Sequence, residues 1–83
     1  MIVIGADTHK RNHMLAAVDG QTGALTGQRA IAATDAGSLD ALRFAAGLGQ
    51  ERVWAIEDCR HVSARLEAAL IAAGERGSGY RPR

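Results

Sequence analysis

Ile2-Val3-Ile4-Gly5-Ala6-Asp7 is the stretch on which the fold turns: five consecutive apolar residues closed by a carboxylate. A run that is apolar at every position, rather than at every second one, is the signature of a strand covered on both faces, as in the centre of an α/β sheet. Asp7 ends the run. No basic region precedes it, and Gly5 and Asp7 interrupt its hydropathy, so it reads as neither a signal peptide nor a membrane span.

Working outward, the polar segment Thr8-His9-Lys10-Arg11-Asn12 leads into a second apolar run, His13 to Val18, which closes on the turn dipeptide Asp19-Gly20. A third strand, roughly Ala24 to Ala32, completes an antiparallel meander, and its polarity marks it as an edge. From Thr34 the period changes. Leu39, Leu42 and Ala46 recur at helical spacing, Thr34 or Asp35 caps the start, and Gly47 to Gly49 ends the helix.

Arg52 to Ile56 is a second strand expected to be buried on both faces. Because it is reached through a helix, it should run parallel to a strand already in the sheet, beside the first. Asp58 then caps a helix running to Ala73, with Val62, Leu66, Leu70 and Ala73 as its apolar stripe and Gly74 as its stop. Residues 76–83, rich in Gly, Ser and Arg, have no hydrophobic period and are expected to be a disordered tail after one domain spanning 1–75. The order is β-β-β-α-β-α: an α/β chain with a mixed sheet in strand order 3-2-1-4.

Composition narrows the function classes. Hydrophobic residues are 47% and charged residues 23% of 83, an ordinary globular balance rather than that of a disordered chain. A net charge of +1 gives no strong field to attract nucleic acid or a membrane. One cysteine, Cys59, forms no internal disulfide and no paired metal motif, which fits a reducing cytoplasm. A mixed sheet in so short a chain buries only about 60–65% of its unfolded surface, so further elements or a partner chain would stabilise it.

Chemistry is suggested where the two apolar strands end. Side chains alternate along a strand, so Val3, Gly5 and Asp7 share one face, and Val53, Ala55 and Glu57 share one face. If those strands are parallel neighbours, both carboxylates stand at the carboxyl end of the sheet, where open α/β sheets hold ligands. Carboxylates that close repel unless a cation lies between them, and hard oxygen donors select Mg²⁺ or Mn²⁺.

The pattern Ile4-Gly5-Ala6-Asp7-Thr8-His9-Lys10, followed by a second strand and later by Trp54-Ala55-Ile56-Glu57-Asp58, resembles the N-terminal domain of insertion-sequence-110-family transposases, over roughly Met1 to Glu75. These are DEDD transposases. The resemblance implies a RuvC-like domain of ribonuclease-H fold, here a partial one, with Asp7 and Glu57 as the first two catalytic, metal-binding acids. It further implies Mg²⁺-dependent DNA recombination directed by a structured RNA, in a bacterial cytoplasm. The remaining two acids, the fifth strand, the helix bearing the last acids and the serine-bearing domain of that family have no counterpart in the sequence, so a truncated, inactive fragment is expected.

Plainer roles stand beside these. Asp7 is also a suitable strand-ending turn residue, and Asp58 competes with Glu57 as ligand. Lys10, Arg11 and Arg60 are placed to meet nucleic-acid phosphates, although such charges commonly decorate a solvated loop. His9 and His13 are expected to be solvated, and Trp54 to be core. Two rival functions remain. One is an actin-like or sugar-kinase ATPase fragment, against which Thr8 to Asn12 lacks the glycine that a phosphate-cradling loop favours. The other is a non-enzymatic domain that forms a homo-oligomer through its exposed sheet edge.

Overall fold

The computed structural model of the chain describes residues 1–56 and 63–78. Along them run β1 (Ile2–Thr8), β2 (Asn12–Asp19), β3 (Leu25–Ala32), α1 (Asp35–Ala46), β4 (Arg52–Ile56), α2 (Ala64–Ala72) and a short β5 (Gly77–Ser78). The sheet order is β3-β2-β1-β4-β5. The first three strands form the antiparallel meander, and α1 returns the chain to the far side of β1, where β4 pairs in parallel. The expected mixed sheet with order 3-2-1-4 and two helices is present.

The Asp19-Gly20 turn works through its carboxylate. Asp19 Oδ1 accepts from the amides of Gln21 at 2.8 Å and Thr22 at 3.2 Å, and Gly23 takes the left-handed φ of 75° that closes the loop.

Among the described residues, the buried apolar side chains lie on one face of the sheet or on the helices covering it. The register aligns Ile4 with Ala17 and Trp54, and Ala6 with Leu15 and Ile56. Ala41 and Ala45 of α1 and Leu66 and Leu70 of α2 close over them. This corrects the expectation that β1 and β4 are covered on both sides. Val3, Gly5, Val53 and Ala55 point to the opposite face, which no helix among the described residues covers.

Helix α1 also buries a different stripe from the one its leucines suggest. Its buried residues are Gly37, Ser38, Ala41 and Ala45, whereas Leu39 is 55% exposed and Ala46 faces outward. The cause is close approach. A Cβ on Gly37 would fall 1.8 Å from the carbonyl oxygen of Ala32, so the first turn of the helix lies directly on the end of β3. Thr34 fixes that entry by accepting from the Gly37 amide at 3.0 Å. Further along, Phe44 lies against Gly27, with the Arg29 guanidinium over its ring at 5.6 Å and bonded to Asp40 at 2.7 Å.

Helix α2 begins at Ala64 after Ser63, buries Leu66 and Leu70, and is followed by Gly74 at φ 76°. Ala73, expected in the apolar stripe, is exposed. Asp58 and Val62 lie outside the described residues.

The beginning of the supposed tail is ordered and adds a short fifth strand to the sheet, where the sequence led to the expectation of none. Trp54 donates its amide to the carbonyl of Arg76 at 2.9 Å, and Gly77–Ser78 pairs in parallel with Trp54 and Ala55. Glu75 anchors this return. Its carboxylate accepts a two-pronged contact from Arg52, at 3.0 and 2.7 Å, and a third bond from the Trp54 indole at 2.9 Å. The pair is mostly withdrawn from water, with side-chain exposures of 19% for Arg52 and 9% for Glu75. Glycine and serine content therefore misread residues 76–78, because the fixing interaction is made by the preceding residue.

Two outcomes test this fold. Gly37→Ala, normally favourable inside a helix, should destabilise by about 2–3 kcal/mol in urea titration, because the new methyl group meets backbone rather than a yielding side chain. Arg52, and to a lesser extent Trp54, hold the Glu75 carboxyl below its ordinary value of 4.5. Its contribution is full above that value and is lost as pH falls through the lowered folded value. Glu75→Gln should cost about 1–3 kcal/mol at neutral pH and flatten this acid limb.

Candidate functional site

Asp7 is the penultimate residue of β1, at the carboxyl end of a central strand. Alternation puts it on the open face with Val3 and Gly5, opposite Met14 of β2, and its side chain is 67% exposed. The strand runs one residue beyond the point where Asp7 was expected to end it, so Asp7 is held by ladder pairing on the β2 side. On the other side, Val3 pairs with Val53 and Gly5 with Ala55, which aligns the two faces inferred from the sequence. Among the described residues that parallel register runs as far as Ala6 and Ile56. Glu57 and Arg60 lie outside the described residues.

The turn after β1 brings basic groups to the same end. His9 Nε2 stands 3.3 Å from Asp7 Oδ2, with both side chains largely in water. Lys10 and Arg11 are exposed at the turn. The Arg11 carbonyl accepts from the Ala33 amide at 2.9 Å, tying the turn to the entry of α1. Arg65, which the sequence did not single out, bonds the carbonyl of the same Ala33 at 3.3 Å and lies 3.6 Å from Asp35. Arg11 through its backbone carbonyl and Arg65 through its guanidinium therefore both bond Ala33, although they are far apart in sequence.

Beneath this surface is a buried polar pair that replaces the expected solvated His13. Thr8 and His13 are cross-strand partners on the core face, 6% and 2% exposed. His13 Nδ1 accepts from the His9 amide at 3.3 Å, and burial lowers its pKa below 6.5, favouring the neutral ring. Among the described residues, the buried Thr8 hydroxyl finds no hydrogen-bond partner. The alternation Ile4, Ala6, Thr8 already placed Thr8 on the core face. The polar character of the segment obscured it.

In kind, the donors fit a hard divalent cation: an exposed carboxylate at a strand end, next in space to the strand leading into Glu57. Among the described residues, no group of three or more His, Cys, Asp or Glu side chains is drawn together. A shallow depression of about 200 Å³, lined by Gln50, Arg52, Gly74, Glu75 and Arg76, lies at the opposite end of β1 and β4 from Asp7. No helix among the described residues is long and apolar enough to cross a membrane.

The sequence matches no protein-family model and no curated protein.

The buried imidazole has a measurable consequence. The unfolded chain takes up a proton near 6.5 while folded His13 resists it, so stability should fall as pH drops below that value, by at most about 1.4 kcal/mol per pH unit. His13→Gln, followed by urea midpoints across the mildly acidic range, should remove this slope.

Proposed function

We propose that the chain forms the opening part of a RuvC-like, ribonuclease-H-like domain of a DNA transposase or recombinase, with Asp7 as a ligand for Mg²⁺ or Mn²⁺. The observation that carries this reading is the placement of Asp7. It leaves the carboxyl end of β1 exposed, beside a parallel β4 whose next residue in sequence is the carboxylate Glu57. The resemblance to insertion-sequence-110-family transposases supplies the reaction class.

In that reading, the bound cations supply charge neutralisation to the attacking and leaving oxygens of phosphoryl transfer. The chain's own part is positional. Ladder pairing fixes the backbone of Asp7, and the neighbouring His9 imidazole orients its carboxylate. Lys10 and Arg11, with Arg65 on α2 and Arg60 in sequence, meet the phosphates of DNA or of a structured guide RNA. The family's two later acids have no counterpart in these 83 residues, so the chain alone should bind metal weakly and not cleave DNA.

The ATPase alternative is disfavoured by the turn itself. A phosphate cradle needs free amides, whereas the His9 amide already donates to the Asn12 carbonyl at 3.0 Å and to His13 Nδ1.

Paramagnetic Mn²⁺ titrated into labelled protein should broaden the amide signals of Asp7, Thr8 and Met14 at millimolar concentration. Excess Mg²⁺ should reverse the effect, and Asp7→Asn should abolish it. Unbroadened signals at Asp7 would remove the metal site.

A further inference from the structure

Granted Asp7 as a metal ligand, on which this inference rests, we propose that His9 is a second ligand of the same ion through its Nε2 atom. The pair then takes a borderline transition cation of the Mn²⁺ to Zn²⁺ series in preference to Mg²⁺. Asp7 and His9 are two positions apart, and alternation past the end of β1 returns His9 to the face of Asp7. His9 Nε2 stands 3.3 Å from Asp7 Oδ2. That is longer than the roughly 2.7–3.2 Å of an N–H···O bond. It is close to the separation of neighbouring donors around an octahedral ion, about 3.0 Å for bonds of about 2.1 Å.

Both side chains lie largely in water, so water fills the coordination positions that the protein leaves open. The backbone beneath them is fixed. Asp7 is held in the ladder opposite Met14, and the His9 amide donates to the Asn12 carbonyl at 3.0 Å and to His13 Nδ1 at 3.3 Å. Those bonds are made by the main chain of His9 and leave its imidazole free to turn a lone pair toward a cation. Oxygen donors alone suit Mg²⁺, whereas an imidazole nitrogen adds affinity along the series from Mn²⁺ to Co²⁺ and Zn²⁺. Lys10 and Arg11, exposed at the same turn, oppose every divalent cation alike and leave that order unchanged.

The test compares Co²⁺ with Mg²⁺, each titrated into the chain to millimolar concentration and followed through the NMR signals of Asp7, Thr8 and Met14. Co²⁺ should bind about tenfold or more tightly than Mg²⁺. His9→Ala should collapse that margin by weakening Co²⁺ far more than Mg²⁺, while circular dichroism shows an intact fold. His9→Gln can still hydrogen-bond the Asp7 carboxylate but brings no imidazole nitrogen, so it should behave as His9→Ala does. If glutamine restores the margin, His9 only orients the carboxylate and the proposal falls. Equal affinities for the two cations overturn it as well, as does a sulfur-to-cobalt charge-transfer band that places the ion on Cys59. The two readings fail in different ways. Signals at Asp7 that respond to neither cation remove the metal site itself. Binding that Asp7→Asn abolishes, with a Co²⁺ margin that survives His9→Ala, keeps Asp7 as a ligand and overturns only the role of His9.

Discussion

The parallel pairing of β1 with β4 is the constraint from which the rest of this structure follows. A meander alone would give three strands with no reason to bury one face in preference to the other. By returning β4 to the far side of β1, the α1 crossover makes β1 central and obliges both helices to lie on one side. It also turns the carboxyl ends of two strands toward the same solvent region. Asp7 owes its position to that return more than to any contact of its own side chain.

Much of this was legible in the sequence, for definable reasons. The apolar runs Ile2 to Ala6 and Arg52 to Ile56, the Asp19-Gly20 turn and the Gly74 stop are local signals whose meaning does not depend on what lies across the fold. They gave the strand order, the parallel pair and the edge position of β3. The less legible features all depend on distant partners. Leu39 points to solvent because Gly37 must touch Ala32, and no periodicity within α1 reports a carbonyl on another element. Residues 76–78 join the sheet because Glu75 finds Arg52 and Trp54. Continuous apolarity in β1 and β4 implied two covered faces, yet among the described residues both helices lie over one of them.

The candidate site divides in the same way. Alternation along β1 placed Asp7 on the face shared with Gly5 and Val3, and the ladder to β4 reproduces the alignment as far as Ala55. The basic residues were harder to group. Lys10 and Arg11 are adjacent in sequence and were visible as a pair, whereas Arg65 reaches Ala33, which also bonds the Arg11 carbonyl, only because α2 starts beside the entry to α1. His13 looked like another member of a polar loop, but its partner across the ladder is Thr8 on the core face. The site therefore combines an exposed, charged surface with a buried, uncharged layer beneath it, and the division follows the two faces of the strands.

The Glu75 anchor bears on how the chain assembles. Glu75 follows β1 to β4 in sequence, so any partly folded form that lacks its contacts leaves β4 an open edge and Trp54 without its indole acceptor. Open edges and half-satisfied core groups are what chaperones recognise and what misassembly exploits. One glutamate emerging after α2 supplies the acceptor for Trp54 and the counter-ion for Arg52, and brings Gly77–Ser78 onto the edge. In this chain the closing of that edge therefore depends on a single carboxylate that follows α2 in sequence.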